Sequence, residues 1–187
     1  MDKPATTQVP LHPLLASRWS PRGFDRAHAL APEQLTALIE AARWAPSANN
    51  TQPWRFLIAN RGESAFDELF GVLTPGNQQW AGSASALILV AAEAVGPFAL
   101  YDTGQAVANL SAQAGHEGLS VHQMGGFDAA AAAERFDLGE NLQPVVVIAV
   151  GLHDAAAPLS ATFAERERAP RARRPVDELL LRQSIVA

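Results

Sequence analysis

Ala86-Leu87-Ile88-Leu89-Val90-Ala91 leaves this chain little freedom. Six consecutive apolar residues offer no polar position to turn toward water. The run therefore reads as a fully buried strand, continuous rather than alternating. Even extended to Ala92 it is far too short to span a bilayer. Three further strands are expected at Trp54–Ala59, Leu119–Gln123 and Val145–Val150, the last all β-branched or small.

Helical patterns separate the strands. Pro32 suits a first helical turn, and Leu35, Leu38, Ile39 and Ala42 follow at the spacing of one buried stripe. Glu63–Leu73 carries Phe66, Leu69, Phe70 and Leu73 at helical spacing. A long helix is expected from about Leu100 to Glu117. Its small residues, Gly104, Ala106, Ala108, Ala112, Ala114 and Gly115, suit a central helix or a subunit interface. Asp128 is a plausible N-cap for Ala129–Phe136. His12–Ser17 reads as a short helical turn, Pro75-Gly76-Asn77 as a turn, and Val176–Leu181 as a final helix-like piece. Residues 1–10 read as a loose arm on a single domain spanning residues 1–187.

Composition narrows the function. Hydrophobic residues make up 48% and charged residues 18%, which fits a globular chain. A net charge of −5 argues against a general nucleic-acid role, which needs a basic surface. The absence of cysteine removes disulfides, thiolate metal sites and cysteine nucleophiles. The histidines, His12, His28, His116, His122 and His153, show no metal-ligand spacing, so no metal is expected. Met1-Asp2-Lys3-Pro4 lacks the order of a signal peptide, and the reading is a soluble cytoplasmic protein.

Ala45-Pro46-Ser47-Ala48-Asn49-Asn50-Thr51-Gln52-Pro53-Trp54 joins a helix to a strand, where a short polar turn would suffice. Its amides and hydroxyls can present donors and acceptors to a flat, heteroatom-rich ligand, or can close an Asx-type turn with no ligand. Arg18-Trp19-Ser20-Pro21-Arg22 puts residues 18, 20 and 22 on one face if extended, suited to an anion or a polar ring edge. The same residues would also suit a solvated turn. Gly125-Gly126 follows a strand and lets a ligand touch backbone N–H groups, or is a plain tight turn. Five arginines between Arg166 and Arg174 make the tail locally basic on an acidic chain. GxGxxG, P-loop, GxSxG and HExxH motifs are absent.

In order, Arg18-x-Ser20-x-Arg22, Pro46-Ser47-x-x-Asn50-x-Gln52-Pro53-Trp54, Asn77, Gly125-Gly126-Phe127-Asp128 and Arg171-x-Arg173-x-Pro175 resemble the motifs of the nitroreductase family of FMN-dependent oxidoreductases. The resemblance runs from about residue 13 to residue 180. It implies an α+β fold with a central, mostly antiparallel sheet flanked by helices, in an intertwined homodimer with FMN at the dimer interface. By position, Arg18, Arg171 and Arg173 would bind the 5′-phosphate. Ser20 and Arg22 would approach the ribityl chain and pyrimidine edge, with Trp19 in the same segment. Asn77 would bond that edge, and N–H groups at Gly125-Gly126 would meet N5 and O4. Pro46, Ser47 and Asn50, with Gln52, would cover the ring from the partner subunit. NAD(P)H would reduce the flavin, and a nitroaromatic or quinone would reoxidise it in ping-pong fashion, with Arg22 as electrostatic stabiliser and no catalytic side chain. Other readings keep FMN but change the reaction to a dehydrogenase or dehalogenase, or keep the flavin without turnover.

Two departures from the family pattern stand out. Trp80 occupies a position where many members carry a lysine, which moves the positive charge near the pyrimidine onto Arg22. The link from Glu93 to Phe98 is short, so Phe98 and Tyr101 are the aromatics expected to line a more open substrate pocket.

Overall fold

The computed structural model describes residues 3–181; residues 1 and 2, the start of the expected arm, and residues 182–187 lie outside it. Four strands form one antiparallel sheet in the order β1-β2-β4-β3. They are β1 (Trp54–Asn60), β2 (Ala86–Glu93), β3 (Ser120–Met124) and β4 (Leu142–Gly151). β2 is central and buried along nearly its whole length, as its unbroken apolar run requires.

Alternation along the strands divides the core in two. Leu87 and Leu89 of β2 face the same way as Val147 and Ala149 of β4 and Met124 of β3. Ile88 and Val90 face the other way, with Ile148, Val150 and Val121. Helices cover both faces. The second face carries α2 (Pro32–Arg43) and α5 (Ala99–His116), through Leu38, Ala42, Val107 and Leu110. The first carries α3 (Ser64–Gly71), α4 (Pro75–Ala81), α6 (Ala129–Arg135) and α7 (Ala161–Arg168), through Phe66, Leu69, Trp80, Ala132 and Phe163. The short α1 (Pro13–Ser17) packs on α5. This is the expected α+β arrangement of an antiparallel sheet flanked by helices. Among the described residues no helix is long and apolar enough to cross a membrane.

Local chemistry accounts for the helix starts. Pro32 and Pro75 occupy first-turn positions, where a missing N–H costs nothing. Asp128 caps α6, its Oδ1 accepting from the Ala131 N–H at 2.9 Å.

Several expectations need correction. Pro75-Gly76-Asn77 is not a free turn but the opening of α4, which tertiary packing carries on to the buried Trp80. α7 was not anticipated, because Phe163 is its one buried residue and the rest of its surface is largely charged. The described part of the N-terminal arm is irregular but not loose at Lys3 and Ala5. The Ala5 N–H donates to the Ala16 carbonyl at 2.8 Å, and Lys3 Nζ lies 4.6 Å from the Trp19 ring centre. The final piece is a single 3-10 turn, Val176–Leu179.

Leu110 is fully buried between α5 and the sheet. We expect Leu110→Ala to lower the unfolding free energy by about 2–5 kcal/mol, measured by urea denaturation.

Candidate functional site

The motif residues fall into two groups at opposite edges of the sheet. One lies along β3. The 18–22 segment runs past this strand, and His122 on β3 holds it: the imidazole Nδ1 is 2.9 Å from the Pro21 carbonyl oxygen. Further along, Gly23 packs so closely on the Asp154 carbonyl that a Cβ there would collide, and Phe24 bridges to His153. The Arg22 segment is thereby fixed from both sides.

Arg18, Arg171 and Arg173 converge although they come from opposite parts of the chain. Burial lowers the pKa of the Arg18 guanidinium, and the positive charges of Arg171 and Arg173 lower it further. Arg18 Nη1 donates to Ser20 Oγ at 3.3 Å. Arg171 Nη1 donates to the carbonyls of Lys3 and Ala16, each at 2.7 Å, so it also ties the tail to the N-terminal segment. Like charges held this close repel one another, and an anion between them offsets that repulsion.

Gly125-Gly126 follows β3 directly. Asn77 Nδ2 on α4 donates to the Gly126 carbonyl at 2.9 Å, and the Thr74 N–H donates to the same oxygen at 3.0 Å. A Cβ on Gly126 would lie 2.9 Å from both Asn77 Nδ2 and Thr74 Oγ1, so any larger residue would push those two side chains aside. Asn77 and Gly126 are thus brought together. In this structure the Asn77 amide supports the glycine loop.

Arg22 is enclosed. Its guanidinium carbon lies 5.3 Å from the Phe163 ring centre and 6.0 Å from that of Trp80. Trp80 is buried and stacks on Phe24, with the His122 ring centre 4.5 Å from its own. Glu167 of α7 completes the enclosure, with Oε1 3.5 Å from Arg22 Nη1. Trp19 meets His153 edge-on at 5.3 Å and lines a cavity of about 190 Å³ with Leu159 and Glu167.

The second group surrounds the start of β1. Pro46, Ser47, Asn50 and Gln52 lie in a loop that opens with a 3-10 turn, Ala48–Asn50. Asn49, Asn50 and Gln52 adopt positive φ of 53°, 57° and 48°. Such backbone is held only where its surroundings over-determine it. Ser47 Oγ accepts from the Gln52 N–H at 3.1 Å. Asp102, buried in the first turn of α5, accepts from the Ala48 N–H at 2.9 Å. Phe98 lines a cavity with Ala48, Asn49 and Thr51 of this loop, and Tyr101 follows in the first turn of α5; the two are 57% and 68% exposed. Trp44, at the end of α2, is 75% exposed.

Three inter-strand intervals, about 14 Å, separate the β1 and β3 edges. Pro46, Ser47, Asn50 and Gln52 thus lie beside one edge strand, and Arg18, Ser20, Arg22, Gly125 and Gly126 beside the other.

Three residues at these sites were missed in the sequence: His122, Asp102 and Glu167. The sequence reads His122, like the other histidines, as a surface or core residue rather than part of a site. The available signal was its place in β3, one step from the inward-facing Val121, which sends it to the opposite face.

Burial brings the His122 pKa down from 6.5 to about 4, with the positive charges of Arg22 and Arg18 adding to the effect. Between pH 6.5 and pH 4 the unfolded chain then binds the extra proton, so stability rises with pH across that window and falls on acidification. We expect a loss of roughly 3 kcal/mol from this group between pH 7 and pH 4. Urea unfolding at a series of pH values should show it, and His122→Gln should flatten that part of the profile. Asp102→Ala leaves the Ala48 N–H without its carboxylate, and should cost about 1–3 kcal/mol by the same assay at pH 7.

Residues 15–73 and 67–152 match the nitroreductase family. A solved structure described as an oxidoreductase containing FMN superposes with a TM-score of 0.90 and 32% identity, over 97% of this chain and 96% of that one. An uncharacterised 15.4 kDa protein of Mycolicibacterium smegmatis is 34% identical over 138 residues, 67% of this chain and 92% of that protein. The oxygen-insensitive NADPH nitroreductase of Helicobacter acinonychis is 33% identical over 101 residues, 52% of this chain and 44% of that protein.

Proposed function

The chain belongs to the nitroreductase family, and from that footing we propose that it is an FMN-dependent oxidoreductase that passes electrons from NAD(P)H to a nitroaromatic or quinone. The observation that carries the reading is the convergence of Arg18, Arg171 and Arg173 beside Ser20, in a chain whose overall charge is −5. A phosphate monoester dianion is the kind of anion that offsets three neighbouring guanidiniums.

FMN, when bound, supplies the redox chemistry, taking a hydride from the nicotinamide and handing two electrons to the acceptor. The chain supplies placement and charge. Arg18, Arg171 and Arg173 hold the phosphate. Gly125 and Gly126 offer backbone N–H groups at a position where a Cβ on Gly126 would push Asn77 and Thr74 aside. Arg22 brings positive charge to the pyrimidine edge, where negative charge gathers on reduction. His122, neutral at physiological pH, holds Pro21 and hence the Arg22 backbone in place. Donor and acceptor take turns in one pocket, so a ping-pong order needs no acid–base pair from the protein.

The second half of the pocket comes from another copy of the chain. Pro46, Ser47, Asn50 and Gln52 of that copy cover the ring, with Phe98 and Tyr101 lining the open side. Two observations support this. The β1-edge group is about 14 Å from the β3-edge group within one chain. Trp44, Phe98 and Tyr101 leave apolar surface exposed beside the loop, as a homodimer interface requires.

Protein purified without added flavin should be yellow and release FMN, one per chain, on denaturation. Arg18→Ala should weaken FMN binding about tenfold or more, read by fluorescence titration of the apoprotein. Native affinity in that variant would remove the phosphate assignment. Bleaching by NADH against NADPH then identifies the donor, and sedimentation measures the oligomer.

A further inference from the structure

Glu167 belongs to none of the motifs assigned to the flavin, yet it is the carboxylate that pairs with Arg22. Three contacts fix it there. Its Oε1 accepts from the Arg22 backbone N–H at 3.1 Å and sits 3.5 Å from Arg22 Nη1. Lys3 Nζ donates to the Glu167 carbonyl at 2.8 Å, pinning the last turn of α7. Phe163 lies one helical turn earlier on the same face of α7, so its ring and the carboxylate both reach Arg22. The two side chains are only 21% and 14% exposed, which limits screening by water and salt. On the far side, Trp80 keeps the guanidinium from swinging away.

We propose that Glu167 is a positioning residue that, by pairing with Arg22, offsets part of its charge and thereby sets the midpoint potential of bound FMN. The inference rests on the flavin reading above. Reduction adds negative charge to the pyrimidine side of the ring, and a cation nearby favours the reduced form. A carboxylate paired with that cation weakens its field, so FMN is harder to reduce than beside an unpaired arginine. Trp80 sharpens the effect, because it leaves Arg22 as the cation at that edge. Burial raises the Glu167 carboxyl pKa, and Arg22 and Lys3 oppose part of the rise.

The test compares bound FMN in the native protein, Glu167→Gln and Glu167→Asp, by reductive titration against a redox dye of known potential. Gln keeps an oxygen for the Arg22 N–H and removes the charge. The Gln variant should shift the dye equilibrium several-fold toward reduced FMN, while the Asp variant stays near the native value. Glu167→Ala is a second neutral variant and should shift the same way. A residue that only braced the fold would lower thermal stability or FMN content and leave the potential of the flavin still bound unchanged. Unchanged or lowered potential in both neutral variants overturns the inference and leaves the flavin reading standing. A native protein that takes up no FMN overturns that reading, and the inference with it.

Discussion

Burial of β2 on both faces is the constraint that everything else satisfies. A strand with no polar position needs a neighbour on each side and a layer of helix above and below. β1 and β4 satisfy its backbone, the α2–α5 pair covers Ile88 and Val90, and the smaller helices cover Leu87 and Leu89. Once those layers are in place, the irregular segments have nowhere to run except along the two sheet edges. The motif residues collect there. The scaffold is apolar and repetitive; the chemistry lies at its margins.

The two edges are built by different means. At the β3 edge, charge and close backbone contact do the positioning. A neutral imidazole holds the Pro21 carbonyl, a glycine lies against Asn77 and Thr74, and guanidiniums crowd one another. At the β1 edge, strained backbone does it. Three residues of the loop sit in the left-handed region, held by Ser47, by Gln52 and by a buried carboxylate on α5. That carboxylate also lies where the helix dipole favours negative charge. Each edge is stiff in its own right, and neither depends on the other for its local geometry.

Much of this was legible in the sequence, for reasons specific to particular residues. The strands were found because Leu87–Val90 and Val145–Val150 have only one plausible environment. The ordered motifs were found because Arg18, Ser20, Arg22 and the Pro46–Trp54 stretch are dense in polar groups that no plain connection needs. Asn77 was assigned to a turn because Pro75-Gly76 is strong local punctuation, and tertiary burial of Trp80 overrode it. α7 has too weak an apolar stripe to announce itself. Glu167 was hidden in a run of alternating charges that reads as a solvated face, and its partner Arg22 is far away in the sequence. Long-range pairs of this kind leave no local trace.

The arginine-rich end of the molecule is stitched from early and late parts of the described chain. Arg171 grips the carbonyls of Lys3 and Ala16, and Lys3 grips the end of α7. During synthesis the four strands emerge before this closure is possible, since α7 and Arg171 follow β4. The sheet can therefore assemble on the ribosome while the early and late segments are still apart, and they join only when the late segment returns to the early one. A chain stopped short of Arg171 still contains every residue of the two core clusters yet lacks this clasp.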